Sequence, residues 1–154
     1  MVLGDRYRSV DGHHGSDLRL RIYREKVKRK GHRYIGGARG GKMKVRIYQI
    51  NYELDRRYLA YQDLETVLAR SNGKIPAQIY DCVYEGELAA KDLEDVFYIL
   101  NEAKPADYRT RSLSVSDVVE VVHSEEKSSF YFCDTFGFQP FPFDKTAIHK
   151  NQED

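Results

Sequence analysis

Cysteine is scarce in this chain: of 154 residues only Cys82 and Cys133 carry a thiol. Two cysteines build no disulfide framework and cannot supply the four thiolates of a structural zinc site. Long apolar runs are missing as well. The longest stretch without Asp, Glu, Lys or Arg is the nine residues Thr135 to Phe143, and a membrane-spanning helix needs about 20 apolar residues. The opening residues Met1 to Arg6 lack the apolar core of a secretion signal. A soluble, cytoplasmic protein with no membrane partner is therefore expected. No internal repeat and no low-complexity tract is visible.

What the chain does have is enough apolar matter for one core. Hydrophobic residues make up 41% of it, with 12 Tyr and 7 Phe, so wholesale disorder is not expected. Charge is plentiful but divided. Residues 1–42 hold 12 Lys and Arg and only four acids, a net charge of +8; residues 43–154 hold 13 basic and 20 acidic residues, a net charge of −7. Such asymmetry points to a basic arm joined to an acidic domain.

Within the arm, Leu18, Leu20 and Ile22 alternate with Arg19, Arg21 and Tyr23, the period of a half-buried strand. Arg24, Lys26, Lys28, Arg29, Lys30 and Arg33 follow, with Tyr34 close by. Cations neutralise phosphates and Tyr rings offer stacking surfaces, so these residues are the candidates for a polyanion-binding arm that takes RNA or DNA. The plain alternative is a solvated strand or hairpin whose cations face water or its own acidic domain. A third reading is that Arg39 to Lys42 are translated from a purine-rich ribosome-binding tract ahead of Met43.

From Met43 onward the periodicities become regular. Val45 to Tyr52 reads as a strand with Val45 and Ile47 on one face and Tyr48, Ile50 and Tyr52 on the other. Asp63 to Arg70 reads as a short helix closed by Ser71-Asn72-Gly73. Gln78 to Tyr84 is a second strand whose alternation would place Tyr80 and Tyr84 on one face, before a turn at Glu85-Gly86. A second helix near 91–102 carries Leu93, Val96, Phe97 and Leu100 on one stripe. Val118 to Val122 and Ser129 to Cys133 form a hairpin, and the prolines in 135–143 restrict that segment to an edge strand or a packed extended tail. The expected architecture is a small α+β domain over 43–145, ordered β-α-β-α-β-β with a mostly antiparallel sheet and two helices. The basic arm, 1–42, precedes it, and a frayed polar tail, 146–154, follows. Ile47, Leu64, Val83, Leu93, Phe97, Val119 and Phe132 are the core candidates.

Four segments together resemble a known domain. They are Lys44 to Ile50, Ile79 to Leu88, Arg111 to Val119 and Phe130 to Phe138. The Ser-Leu-Ser-Val-Ser-Asp block at 112–117 and the Asp-x-x-Gly-Phe segment at 134–138 carry most of the likeness. The pattern, from about Met43 to Phe143, resembles the YodL-like domain. The resemblance implies a protein of phages, plasmids or conjugative elements of Firmicutes, found beside counter-defence modules. It brings no catalytic residues. Ser112, Ser114, Ser116, Asp117, Asp134, Gly137 and Phe138 are motif residues whose role it leaves open.

The same residues carry candidate chemistry. Ser112, Ser114, Ser116 and Asp117 suit a binding or catalytic loop, or a turn whose side chains satisfy local backbone, with Leu113 and Val115 inward and the serines outward. No Gly-x-Ser-x-Gly elbow or paired His accompanies them, so the turn is expected. Asp81, Asp117 and Asp134 near strands suit either a Mg²⁺ cluster or ordinary turns. Cys133 and His123 could face each other across the hairpin, but an aromatic strand favours a buried, inert thiol. His13, His14 and His32 lack the partners of a zinc motif, and Gly36 to Lys42 lacks the Ser or Thr and the helix of a phosphate-binding loop.

No metal, cofactor or catalytic residue is expected. The reading is a non-enzymatic binding or inhibitor protein of a phage or mobile element, acting in counter-defence on a host protein. That target would present a basic surface and handle nucleic acid, as a CRISPR effector does (an anti-CRISPR-like role). The alternative is a nucleic-acid-binding regulator working through the arm.

Overall fold

The computed structural model describes residues 41–150. Five strands form one sheet in the order β2-β1-β3-β4-β5, and all four pairings are antiparallel. The strands are β1 (Met43–Ile50), β2 (Tyr80–Leu88), β3 (Val118–Ser124), β4 (Lys127–Asp134) and β5 (Gly137–Pro140). Two helices, α1 (Leu64–Arg70) and α2 (Leu93–Glu102), complete the α+β fold expected from the sequence. The basic arm and its candidates Arg19, Arg21, Arg24, Lys26, Lys28, Arg29, Lys30 and Arg33 lie outside the described residues.

Alternation along β1 divides the core in two. Val45 and Ile47 face α2 and pack with Val96, Phe97, Leu100, Val119 and Cys133. Tyr48 and Ile50 face the other way and pack with Val67 of α1, Tyr80, Val118, Phe132 and Phe143. The sheet is thus covered on both faces, and each fully buried Ile or Phe contributes about 1.5–3 kcal/mol of transfer free energy. Both helices open as their sequences dictate. Asp63 accepts from the Thr66 N–H and Asp92 from the Asp95 N–H, both at 2.9 Å, the usual N-cap geometry. Of the expected core residues, Ile47, Phe97, Val119 and Phe132 are buried, and Leu64, Val83 and Leu93 are half-buried.

Several expectations need correction. The register of β2 against β1 slips between Ile47↔Tyr84 and Tyr48↔Cys82, which leaves Val83 as the extra residue of a β-bulge. A bulge resets the alternation, so Tyr80 and Tyr84 occupy opposite faces of the sheet instead of the same one. Glu85-Gly86 is no turn, because β2 runs on to Leu88. Gly86 is there for the ring of Tyr84, which lies where a Cβ on residue 86 would sit. Tyr52 does not extend β1 and begins a 3-10 turn, Tyr52–Leu54, with Asn51 as its cap.

Nor does the chain fray at Thr146. Phe143 packs its ring on Tyr48 and Phe130 and meets Tyr80 edge-on, with centroids 4.9, 5.7 and 5.3 Å away. Lys145 reaches Glu120 at 2.9 Å. His149 donates its backbone N–H to the Tyr80 carbonyl at 2.9 Å and pairs its imidazole with Asp81 at 2.6 Å. Residues 141–149 therefore form a strap from the β5 side of the sheet across to the outer strand β2.

Candidate functional site

The Ser112–Asp117 block is built into the core. Asp117 donates its backbone N–H to the Ser114 carbonyl at 3.1 Å, closing a four-residue turn in which Ser116 has φ +86°. A positive φ near +80° at the third position of such a turn is ordinarily given to glycine. A serine stands here because its side chain is used: Ser116 Oγ accepts the backbone N–H of Tyr61 at 2.9 Å. The Ser116 carbonyl accepts the Tyr80 hydroxyl at 2.7 Å.

Asp117 is also buried, and its carboxylate accepts from the Ser114 N–H at 2.8 Å and Gln49 Nε2 at 3.0 Å. The serines were expected to point outward. Ser114 and Ser116 are instead buried: Ser116 meets Tyr61 and Tyr80 from other elements, while Ser114 turns its hydroxyl to the Ser112 carbonyl at 3.3 Å within the block; of the three serines only Ser112 is partly exposed. Leu113 is inward as expected, and Val115 is half-exposed.

The second motif shapes the β4–β5 hairpin. Gly137, at φ +96° with open space around it, takes the left-handed position that lets the strand resume after Thr135 and Phe136. Phe138 packs against the α2-side core. Asp134 accepts the N–H of Thr135 at 2.9 Å and the N–H of Leu64, the first residue of α1, at 3.2 Å. Both motifs thus reach the same place. Ser116 holds Tyr61 and Asp134 holds Leu64, while buried Asp55 accepts the N–H groups of Leu59 and Ala60 at 2.8 and 2.9 Å.

The connection between Asp55 and Leu64 is fixed locally by Asp55 at its start and by Ser116 and Asp134, 55 and 70 residues away in sequence, at Tyr61 and Leu64. It needs that support. Tyr58 and Tyr61 adopt φ +57° and +72°, a conformation that costs a bulky residue on the order of 1–3 kcal/mol. The Tyr61 hydroxyl meets that of Tyr52, and Arg111 lies over both rings, 4.6 Å from the Tyr52 centroid and 5.9 Å from that of Tyr61. Burial pushes the Tyr61 phenol well above its ordinary range; Arg111 opposes the shift and the Tyr52 bond adds to it. Neither the strain nor the Tyr61–Ser116 bond has a local signal in the sequence.

Next to this connection lies a shallow hollow of about 390 Å³ lined by Asp63, Glu65, Asp134, Thr135, Phe136 and Gln139. Phe136 is the large apolar side chain that stands out among the described residues, 60% exposed. The sequence reads 135–143 as an edge strand or extended tail, so the turn that carries Phe136 shows only in the pairing of β4 with β5.

The remaining candidates are kept apart. Asp81 pairs with Asn51 and His149, Asp117 with Gln49 and Asp134 with Leu64, and among the described residues no three His, Cys, Asp or Glu side chains converge as a metal set requires. Cys133 is buried as expected, and His123 turns to the Ser129 hydroxyl on the surface. A second polar centre was missed. Glu120, fully buried on β3, accepts from Arg46 at 3.0 Å, Tyr48 at 2.7 Å, Ser128 at 2.5 Å and Lys145 at 2.9 Å. Burial would raise its pKa, but these four donors outweigh it and hold the carboxyl at about 2.

A family model, the YodL-like domain, matches residues 44–143. The chain belongs to the YodL-like domain family. No curated protein and no solved structure matches it. Blocks 112–117 and 134–138 of this YodL-like domain lie within the matched residues, and through Ser116 and Asp134 they hold Tyr61 and Leu64 of the Asp55–Leu64 connection. Among its described residues no helix is long and apolar enough to cross a membrane.

Proposed function

We propose that this YodL-like protein is a non-enzymatic binding protein of a phage or mobile element. It would inhibit a host defence protein that handles nucleic acid and carries a basic surface. The observation that supports this reading is the use of the two family blocks. Ser116 and Asp134 hold backbone groups of a strained, tyrosine-bearing connection beside an acidic hollow, and Asp117 closes the turn that carries Ser116. An acidic surface speeds encounter with a cationic partner, and the connection beside it carries half-buried tyrosines, a residue type suited to protein recognition.

The competing reading assigns the work to the arm, whose net charge of +8 suits RNA or DNA. A pull-down from bacterial host lysate with the tagged full-length chain separates the two. A protein that stays bound after nuclease digestion supports inhibition by protein contact. Recovery of nucleic acid alone, with every co-purifying protein lost on digestion, rejects it in favour of the arm. Turnover of nucleotides by the purified chain would reject both.

A further inference from the structure

Arg56 and Arg57 are exposed cations in a stretch of chain, 43–154, whose net charge is −7. Among the described residues no carboxylate pairs with either of them, whereas Lys44, Arg46, Lys91 and Lys145 each reach one. The two arginines occupy the middle of the turn that the Tyr58 N–H closes on the Asp55 carbonyl at 3.4 Å. Arg70, at the end of α1, donates Nη1 to the carbonyls of Arg57 and Tyr58 at 3.3 and 3.1 Å, which brings a third guanidinium to the same turn.

Arg56 and Arg57 also line a hollow of about 240 Å³ whose walls are Leu54, Leu59, Pro76 and Ile79. Asp55, the carboxylate in that lining, is buried and turned to the N–H groups of Leu59 and Ala60. An aliphatic hollow with cations on its rim is complementary to an apolar side chain flanked by acids. The rim selects by charge, and the covered walls supply the burial.

We propose that this hollow docks an acidic segment of another protein. The segment would seat one apolar side chain against Leu54, Pro76 and Ile79 and set its Asp or Glu against Arg56, Arg57 and Arg70. Such a contact is independent of the one proposed above, where an acidic surface meets a basic partner, and has the opposite sign. Size and wall chemistry choose the occupant. The hollow is smaller than the roughly 300–1,000 Å³ of a small-molecule site and suits a single side chain. Phosphates would meet the same cations, but the lining gives bases no aromatic face to stack on, so nucleic acid would leave the apolar walls uncovered. A cationic segment would be repelled. The turn is held by Asp55 from within and by Arg70 from α1, so the arginines are presented with little left to order on binding.

The test uses the isotope-labelled full-length chain and three synthetic peptides of roughly 15 residues, one of Glu and Leu, one of Glu and Ser, one of Lys and Leu. The Glu/Leu peptide should shift the amide signals of Arg56, Arg57, Leu59 and Ile79, with an affinity at these signals that falls as salt is raised. The other two should bind there about tenfold more weakly or worse. Arg56→Glu, Arg57→Glu and Leu54→Ser should each weaken the Glu/Leu peptide about tenfold or more and leave the melting temperature unchanged. Shifts confined to other residues, or binding indifferent to all three substitutions, would overturn the proposal. An oligothymidylate that moves the same signals at lower concentration than the Glu/Leu peptide would overturn it in favour of nucleic acid. Signals at these residues that change with protein concentration alone would assign the hollow to a second copy. Peptide binding that appears only after residues 151–154 are removed would assign it to the chain's own end, and either result rejects a separate partner.

Discussion

The side chain of Ser116 accepts the backbone N–H of Tyr61 at 2.9 Å, across 55 residues of sequence, while both residues hold a positive φ. Each of the two strained residues is a condition for the other's bond. If Ser116 relaxed to an ordinary conformation, its hydroxyl would leave Tyr61; if Tyr61 relaxed, the buried acceptor would lose its donor.

This coupling separates two substitutions that would otherwise look alike. Ser116→Ala loses the bond and keeps the strain, and should cost about 2 kcal/mol. Ser116→Gly loses the bond but removes the strain, and should cost about 1 kcal/mol less than the alanine variant. Urea unfolding of both variants measures the difference. Equal costs would mean the backbone at 116 is not strained.

Glu120 sets an acid limit on stability. Its carboxyl titrates at about 2 in the fold against the ordinary 4.5, so the folded state favours the charged form. A lowered pKa contributes stability that is complete above pH 4.5 and is lost as pH falls from there toward 2. Wild type should therefore lose more stability across that window than Glu120→Gln does. Glu120→Ala should cost about 2 kcal/mol at pH 7, below the range for a wholly buried pair because Arg46 and Lys145 can regain water. Parallel pH profiles for wild type and Glu120→Gln would remove Glu120 from the account.

Two glycines should respond to alanine for different reasons. At Gly137 nothing obstructs a methyl group, and the positive φ alone should cost about 1 kcal/mol. At Gly86 the methyl would displace the Tyr84 ring from its edge-on contact with Tyr108, 5.1 Å between centroids, at about 2 kcal/mol. Thermal melts rank the two. A harmless Gly86→Ala would show that the Tyr84 ring can leave freely.

The bulge in β2 makes a deletion tolerable. Removing Val83 joins Cys82 to Tyr84, which already face Tyr48 and Ile47 in succession, so both flanking registers survive. The loss should be limited to one half-buried valine, about 1–2 kcal/mol. Circular dichroism should show a folded protein with a lowered melting temperature. An unfolded one would mean the extra residue is needed for the twist of the strand.

How much of this was legible follows from where each signal resides. β1, β3, β4 and both helices are written in local periodicity and caps: Val45 and Ile47 against Tyr48 and Ile50, Asp63 before Thr66, Asp92 before Asp95. The bulge at Val83 was not legible, since an extra residue shows only against the partner strand and Tyr80 and Tyr84 alternate smoothly in the sequence. The same holds for the buried serines. Ser114-x-x-Asp117 reads as a turn from sequence, and a turn it is, but the sequence does not say that Gln49 and Tyr61 come to meet it. The strap was hidden by its composition, because 146–154 reads as a polar tail until Asp81 appears beside His149, and Lys145 as a surface residue until Glu120 appears beside it. Neither Phe136 nor its acidic surroundings were legible, because 135–143 reads as an edge strand or extended tail and the turn at Thr135–Phe136 shows only against β4.

The central place of β1 in the sheet also orders events in time. β1 leaves the ribosome before the two strands that flank it, and its Tyr48 waits for Glu120, 72 residues later, before the buried carboxylate and phenol can meet. Contacts this distant slow folding, because the chain must close a large loop before it gains anything. Until β3 has emerged, β1 offers one unpaired edge to any neighbour. A nascent chain halted short of residue 118 would therefore be a species prone to aggregate, and translation speed through β3 would govern the yield of folded protein more than any single contact in the finished core.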